Sequence, residues 1–151
     1  ALEFYQETGR KISEHNAKEQ MRTSPYNFAY FVLNDERSHL YKRIDARVDK
    51  MIEDGLEAEV RRLKEMGCTK DMVAMQGIGY KEMLSYLDGG YSLEEAVYII
   101  KRETRHFAKR QITWFKRERD VIWLNKNEFD YKNEAILAYM IKILKEKAII
   151  S

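Results

Sequence analysis

Residues 99–119 read IIKRETRHFAKRQITWFKRER, and this stretch decides the fold. Apolar and uncharged side chains recur in it every three or four residues, which is the spacing of one face of an α-helix. The residues on this face are Ile100, Thr104, Phe107, Ala108, Gln111, Ile112 and Phe115. The pattern predicts one long amphipathic helix that begins at the capping residue Ser92, carries Glu94 and Glu95 in its first turn, and runs to about Arg117.

The same stretch carries eight positive charges between residues 101 and 119, and two negative ones. The cations are Lys101, Arg102, Arg105, Lys109, Arg110, Lys116, Arg117 and Arg119, and the anions are Glu103 and Glu118. Clustered cations of this kind bind nucleic acids, in which phosphate contacts supply most of the affinity. Because an acidic balance is missing along this face, we interpret the helix as the surface for a polyanionic partner. The alternative is an ordinary solvated helix face.

The composition is that of a globular, helix-rich chain. Its 151 residues fit one domain with an ordinary core, and 44% apolar residues with a single proline argue against disorder. A lone cysteine, Cys68, excludes an internal disulfide and is compatible with a reducing cytoplasm, where we expect the protein to act. No apolar run reaches membrane-spanning length, so no membrane partner is expected.

Outside the basic helix, the periodicity predicts mainly α-helices with one or two strands. The strand candidates are residues 26–33, YNFAYFVL, and more briefly residues 121–124. Helices are predicted over residues 1–8, 13–20, 35–54, 56–66, 79–87 and 132–147, with glycines ending several of them. Two strands cannot complete a sheet that satisfies its own backbone. The protein is therefore either mainly helical or part of a sheet whose other strands are absent from this sequence.

Two arginines, Arg43 and Arg47, stand one turn apart on the helix that follows the first strand. Arg47 lies at the edge of the apolar stripe, where its guanidinium is expected to be half-buried and aimed into a cleft. A planar guanidinium suits a diphosphate because it binds two oxygens at once and stays charged. The alternative is an exposed arginine paired with Asp45 or Asp49.

Four blocks of the chain carry a family resemblance. They are ALEFYQETGRKISE (1–14), RIDARVDKMIEDGLEAEVRRL (43–63), QGIGYKEMLSYLDG (76–89) and IKRETRHFAKRQITWFKR (100–117), followed by WL at 123–124. In this order they closely resemble bacterial tRNA dimethylallyltransferases, also called tRNA isopentenyltransferases. The resemblance extends over nearly the whole chain to Leu124 and more loosely beyond it.

The resemblance implies a transferase that moves a dimethylallyl group from dimethylallyl diphosphate to N6 of the adenosine next to the anticodon of tRNA. It also implies a nucleotide-binding, P-loop-type α/β core with an inserted helical arm. Residues 1–25 match the end of that arm, and residues 26–151 match the C-terminal half of the core. The implied cofactor is Mg²⁺, and the implied partners are the anticodon stem-loop, whose target base is flipped out, and the diphosphate.

The resemblance also implies roles for single residues. Arg47 matches the arginine that contacts the diphosphate, where it is expected to stabilise negative charge on the leaving group. Arg43 is a weaker candidate for the same pocket. Two segments match tRNA contacts, namely Asp71, Met72, Val73, Ala74, Met75 and Gln76, and then Thr104, Arg105, His106, Phe107, Ala108, Lys109, Arg110 and Gln111. In the second segment Arg105, Lys109 and Arg110 are expected to touch phosphates. Trp114 and Phe115 either stack on a base or, as we favour, pack in the core.

The chain departs from the family pattern in what it lacks. It contains no phosphate-binding loop with its lysine and threonine, and no segment supplying the carboxylate that acts as general base. Those elements, and with them the Mg²⁺ ligands, are expected in a missing N-terminal half. This segment alone is therefore predicted to be inactive, and to supply tRNA binding and one diphosphate-contacting arginine. The alternative is a non-catalytic RNA-binding module derived from the family.

Overall fold

The computed structural model of the chain describes residues 2–21 and 24–151. The elements in this part are α1 (Leu2–Thr8), α2 (Ile12–Gln20), β1 (Tyr30–Asn34), α3 (Arg37–Glu53), α4 (Leu56–Glu65), α5 (Tyr80–Leu87), α6 (Leu93–Phe115), β2 (Val121–Asn125) and α7 (Asn133–Glu146), with short 3₁₀ helices at Val73–Gln76 and Lys126–Phe129. A mainly helical chain with two strands is thus confirmed. Ala1, Arg22 and Thr23, which belong to the predicted end of the arm, lie outside the described residues.

Local sequence signals explain where the central helices begin. The hydroxyl of Ser92 accepts a hydrogen bond from the Glu95 amide at 3.1 Å, and the Glu95 carboxylate accepts one from the Ser92 amide at 2.8 Å. This reciprocal cap satisfies two donors that the first turn of α6 would leave unpaired. Before α5, Gly79 adopts φ +100°, a conformation that side-chain-bearing residues rarely take. The buried carboxylate of Glu82 accepts the Gly79 amide hydrogen at 2.8 Å.

The two strands pair in parallel, with Tyr30 opposite Val121 and Asn34 opposite Asn125. The first strand begins four residues later than the sequence predicts, because its partner is only five residues long and leaves residues 26–29 without a strand to pair with. The strand is buried on one face only in part of its length, since Val32 is 8% exposed whereas Leu33 is 60% exposed.

The chain divides into two compact units. The first comprises the residues up to Ala29 together with Ile141–Ser151. Within it the rings of Phe4 and His15 lie 5.0 Å apart, and the side-chain amide of Asn27 donates to the backbone carbonyl of Lys147 at 2.7 Å. None of the described side chains of α1 and α2 is buried.

The second unit, Tyr30–Met140, holds both strands and the packed helices α3 to α6. Its main core cluster consists of Val48, Leu56, Val60, Met75, Met83, Leu84 and Ile100. In the described chain, the buried α6 residue in this cluster is Ile100, so the second half of α6 extends beyond it. No helix among the described residues is long and apolar enough to cross a membrane.

Candidate nucleic-acid interface

Helix α6 turns one face to the protein core and another to solvent. Ala96 and Ile100 are buried in its first half, and Thr104 is partly buried, with its hydroxyl donating to the Ile100 carbonyl at 2.7 Å. Phe107 and Gln111 were expected on the inward stripe, but both are exposed. Beyond the main core cluster, Ile112 and Phe115 of the same stripe stay partly buried, so the packed part of the stripe is narrower than the periodicity predicts.

Two cations of the basic stretch join α6 to α3 instead, and one of them, Arg105, was expected to touch a phosphate. Arg105 pairs with Asp45 at 2.5 Å, and Lys101 pairs with Asp49 at 2.6 Å. The acidic balance that the α6 sequence lacks is thus supplied in part by another helix. In addition, Arg102 pairs with its neighbour Glu103 at 2.9 Å, and this bond holds the pKa of Glu103 below its ordinary value. These cations are therefore less available to an external polyanion than the linear sequence indicates.

The cations in the second half of α6 are in a different position. Lys109, Arg110, Lys116 and Arg117 are all exposed, and none has an ion-pair partner among the residues that the structure describes. Arg110 lies over the ring of Phe107 at 5.8 Å from the centroid, which leaves its charge open to solvent. Exposed, unpaired cations of this density are what phosphate binding requires.

Several of these side chains line one open depression of about 580 Å³, which we call the outer groove. Its lining residues are His106, Lys109, Arg110, Thr113, Trp114 and Arg117. Because their spacing follows the helical repeat, the five that belong to α6 come from one of its faces, and Arg117 comes from the turn directly after it. Trp114 is 53% exposed, which contradicts the packing role we favoured for it. An aromatic ring beside arginine and lysine suits a stacked base next to a phosphate.

Phe115 takes the packing role that was expected of both aromatic residues. Its ring is partly buried and stands edge-on to Tyr30 of β1 at 6.2 Å and to Trp114 at 5.1 Å. This contact links the end of α6 to the parallel sheet, and it fixes the backbone from which Trp114 projects.

The first predicted tRNA segment, residues 71–76, forms a turn and a 3₁₀ helix before α5. Val73 is 85% exposed and Met72 is 47% exposed, and Asp71, Ala74 and Gln76 are exposed as well. Met75 is only 3% exposed and packs in the core, so direct side-chain contact with RNA is excluded for it. Burial of Met75 anchors a segment whose other side chains face solvent.

Arg47 is exposed, which contradicts the expected half-burial. It directly precedes Val48, which is 3% exposed, and so lies about 100° around the helix from that buried position. The alternative pairing with Asp45 or Asp49 is also wrong, since those carboxylates bind Arg105 and Lys101. Among the described residues Arg47 has no ion-pair or hydrogen-bond partner, and it does not line the outer groove.

Arg43, one turn before Arg47, has a partner that sequence reasoning missed. Its guanidinium lies 3.6 Å from the carboxylate of Asp35, a residue buried just after β1. The same carboxylate accepts the Glu36 amide at 2.8 Å and contacts Nδ1 of His39 at 2.6 Å. The four-residue steps from Asp35 to His39 to Arg43 were the signal in the sequence that could have revealed this cluster.

The ionisation of Asp35 follows from these contacts. Burial raises the pKa of its carboxyl, but hydrogen bonds from His39, the Glu36 amide and Tyr131 outweigh it and leave the pKa below the ordinary value of 3.8. Burial, together with the same hydrogen bond to Asp35, raises the pKa of the Tyr131 hydroxyl. Asp35 is thus a charged anchor within a set of donors, rather than a free acid or base.

The described part of the chain does not offer a site for the expected Mg²⁺. No group of three or more His, Cys, Asp or Glu side chains within it is arranged to hold a metal ion. These residues do not fit the ion, and we derive no step through it.

Comparison with known proteins gives consistent relationships. The family model described as IPP transferase matches residues 1–118. A tRNA dimethylallyltransferase of Lachnoclostridium phytofermentans is 58% identical over 151 residues, which are 99% of this chain and 48% of that protein. The crystal structure of a full-length tRNA isopentenylpyrophosphate transferase from Bacillus halodurans superposes with a TM-score of 0.73 at 40% identity, over 94% of this chain and 47% of that one.

A second solved structure, tRNA delta(2)-isopentenylpyrophosphate transferase from Staphylococcus epidermidis, superposes with a TM-score of 0.76 at 36% identity. The superposition covers 97% of this chain and 47% of the Staphylococcus epidermidis chain. The chain therefore spans about half the length of the relatives it matches, and its mostly helical structure fits the C-terminal portion of such proteins.

Proposed function

The chain belongs to the IPP transferase family, and we propose that it acts as part of a tRNA dimethylallyltransferase. In this proposal the enzyme transfers a dimethylallyl group from dimethylallyl diphosphate to N6 of the adenosine beside the anticodon. The chain supplies much of the tRNA-binding surface and one arginine for the diphosphate. In this proposal the enzyme acts on tRNA in the cytoplasm. Residues 1–25 are the end of a helical arm, and residues 26–151 are the C-terminal half of a P-loop-type core.

One observation carries the RNA-binding part of the proposal, namely the outer groove with its unpaired cations. Lys109 and Arg110 stand beside the exposed ring of Trp114, while the cations nearer the start of α6 are held by α3. Backbone phosphates position an RNA, and a flat ring can stack on an unpaired base. The groove combines both kinds of contact on one rigid helix. The phosphate contact expected of Arg105 stays a prediction. It is not part of this argument, because Asp45 already binds the Arg105 guanidinium.

Arg47 supports the catalytic part of the proposal. A guanidinium with no partner among the described residues is free to meet an anion, and its planar fork can bind two oxygens at once. When the bond between the prenyl carbon and the diphosphate oxygen breaks, negative charge grows on the diphosphate. An arginine held at that oxygen stabilises the transition state more than the ground state. The general base and the expected Mg²⁺ ligands belong to the missing N-terminal half.

The proposal is tested by restoring the missing half. The chain is joined to the N-terminal half of the Lachnoclostridium phytofermentans enzyme, its 58% identical relative. The hybrid is incubated with tRNA and dimethylallyl diphosphate, and the digested tRNA is analysed by mass spectrometry. We expect one prenyl group on an adenosine next to the anticodon.

Two controls make the result decisive. The native relative shows that the assay detects prenylation, and the N-terminal half alone shows the background. A folded hybrid that binds tRNA and adds no prenyl group would instead support the alternative, a non-catalytic RNA-binding module. A hybrid that neither binds tRNA nor modifies it would contradict both functions.

A further inference from the structure

A second cavity lies between α3 and α6, and it shares Lys109 and Thr113 with the outer groove. It has a volume of about 330 Å³, and we call it the inner cavity. One wall is formed by Arg37 and Tyr41 of α3, and the other by Lys109, Thr113 and Lys116 of α6. Its remaining lining includes Asn34 and Asp35, at the carboxyl end of a parallel strand. In open α/β sheets this end of the strands is where ligands bind.

Three cations from two helices surround this cavity. Lys109 and Lys116 are two helical turns apart on α6, and Thr113 lies between them on the same side. Arg37 stands on the opposite wall. Neither lysine has an ion-pair partner among the described residues. Cations that are exposed, unpaired and convergent from two elements differ from a row of solvated charges on one helix.

The guanidinium of Arg37 is held in place by Tyr41. Its Nε donates to the Tyr41 hydroxyl at 2.9 Å, and its Cζ lies 5.2 Å from the centre of the Tyr41 ring. These contacts use one nitrogen and leave the two terminal nitrogens without a partner in the described chain. A fixed, forked donor binds two oxygens of one phosphate without losing further side-chain freedom.

The acidic residue in the lining does not neutralise the cavity. Asp35 is buried, and its oxygens are engaged by His39, Arg43 and the Glu36 amide. The lining therefore carries three positive charges and one negative charge that already has its own donors. A phosphate group, with its negative charge and several acceptor oxygens, is the ligand that this set of donors fits.

The site is separate from the diphosphate position proposed for Arg47. Arg37 and Arg47 are ten residues apart on one helix, which corresponds to about 15 Å along the axis. Arg47 lines neither the inner cavity nor the outer groove. Lys109 and Thr113, in contrast, border both the inner cavity and the outer groove, so an RNA strand that follows α6 passes directly from one to the other.

From these observations we infer that Arg37, Lys109 and Lys116 form a binding site for a single backbone phosphate of the tRNA. The inference rests on the proposed function, because it takes the RNA to lie along α6. It adds Arg37 and Lys116 to the contact surface, and it gives α3 a direct part in holding the RNA. Arg37 acts as a binding residue held by Tyr41, remote from the reacting atoms.

The test uses an anticodon stem-loop RNA and the variants Arg37→Ala, Lys116→Ala and the double variant. We expect each single change to weaken binding about tenfold, as the loss of one charge-assisted hydrogen bond does. Because Lys109 remains at the site in the double variant, the slope of log K against log salt is expected to fall by at most the value of one phosphate, about 0.7 to 0.9. Lys42→Ala is the matched control, since Lys42 is an exposed lysine of α3 that lines neither cavity.

A second measurement places the phosphate. Uncharged methylphosphonate linkages are introduced into the RNA one position at a time. One position is expected to weaken binding of the unchanged protein strongly and that of the double variant, which retains only Lys109 at the site, much less. Inorganic pyrophosphate is tested as a competitor in parallel. If it displaces RNA from the unchanged protein through Arg37 and Lys116, and no RNA position responds, the site takes a free diphosphate and the inference is overturned.

The remaining outcomes are equally decisive. RNA binding that depends on Lys109 and Arg110, but is unaffected in the Arg37 and Lys116 variants, overturns the inference and leaves the proposed function standing. Absence of RNA binding by the unchanged, folded protein overturns both. Far-ultraviolet circular dichroism checks folding, and Lys116→Gln provides a second neutral variant at an exposed position that retains the side-chain stem.

Discussion

Arg105 on α6 donates a hydrogen bond to Asp45 on α3, with 2.5 Å between Nη1 and Oδ1. The Arg105 side chain is 24% exposed and that of Asp45 is 38% exposed, so water screens the pair only in part. The ring of Tyr41 lies 6.0 Å from the guanidinium carbon. This contact fixes the second half of α6 relative to α3, and therefore both sides of the inner cavity.

We expect this pair to stabilise the fold. Asp45→Ala and Arg105→Ala are expected to lower the free energy of unfolding, with a coupling energy of up to about 1 kcal/mol in a double-mutant cycle. Urea denaturation monitored by circular dichroism measures it. Lys50 and Asp54, an exposed pair at 2.7 Å within α3, serve as the comparison and are expected to couple more weakly. Equal coupling in the two pairs would show that the bond between α3 and α6 has no special weight.

The exposed cations of the outer groove predict how strongly RNA binding depends on salt concentration. Changing Lys109 and Arg110 together to alanine is expected to lower the slope of log K against log salt for an anticodon stem-loop by about 0.7 to 0.9, the value of the phosphate held by Arg110, because Arg37 and Lys116 still hold the phosphate shared with Lys109. Fluorescence anisotropy at several KCl concentrations gives the slope, with Lys42→Ala as the control. An unchanged slope in the double variant would favour the alternative that this part of α6 is an ordinary solvated helix face.

Arg47 is expected to act on turnover more than on tRNA affinity. In the hybrid enzyme, Arg47→Ala is expected to lower kcat by about 10²- to 10³-fold, the usual cost of removing one donor that stabilises transition-state charge. The dissociation constant for tRNA is expected to change little. Single-turnover kinetics and anisotropy measure the two quantities.

Two comparisons sharpen this experiment. Because Arg47 has no partner among the described residues, its loss is expected to leave the unfolding free energy unchanged. Arg43→Ala is expected to reduce kcat less, since Asp35 already binds that guanidinium. Equal losses of turnover and tRNA affinity in Arg47→Ala would contradict the diphosphate role.

Asp35 predicts a pH dependence of stability. Its pKa is lowered in the folded chain, so the charged form is favoured by folding, and the stabilisation is present above the unfolded value near 3.8. We expect this contribution to disappear as the pH falls from about 3.8 through the lower pKa of the folded state. Asp35→Asn is expected to lower the free energy of unfolding at neutral pH by about 1 to 3 kcal/mol, because His39 and Tyr131 lose a charged acceptor.

The measurement is thermal or urea unfolding between neutral pH and acid. In the Asp35→Asn variant the fall in stability over the acid range is expected to be shallower than in the unchanged chain. Asp54→Asn removes an exposed carboxylate from the end of the same helix and is expected to have a smaller effect at neutral pH. If the two variants behaved alike, the buried cluster around Asp35 would not control acid sensitivity.

Local signals carried much of the sequence analysis. The reciprocal cap at Ser92 and Glu95 marks the start of α6, because both bonds form between residues three apart. The two strands were also recognisable, but their parallel register was not, since the paired residues Asn34 and Asn125 are 91 apart. Register depends on packing that no local pattern records.

In the candidate site, too, local sequence predicts some features, whereas others depend on contacts with distant elements. The basic character of α6 is explicit in its sequence, whereas the choice of which cations are free depends on Asp45 and Asp49 of another helix. Trp114 and Phe115 are neighbours with equal apolar character, yet only Phe115 finds a ring of β1 to pack against. Helical periodicity places Phe107 and Gln111 inward, but it does not say where the core ends.

The parallel pairing of β1 with β2 has a consequence for how this chain acquires its structure. From α3 to α6 each helix packs against the next one in the chain, and these contacts form through short loops at low entropic cost, whereas the contact between α3 and α6 closes a loop of about sixty residues. The two strands must close a loop of about ninety residues before their ladder yields any stabilisation. We therefore expect the helical part to form early and the strand ladder late, with the end of α6 gaining its full order only in the last step.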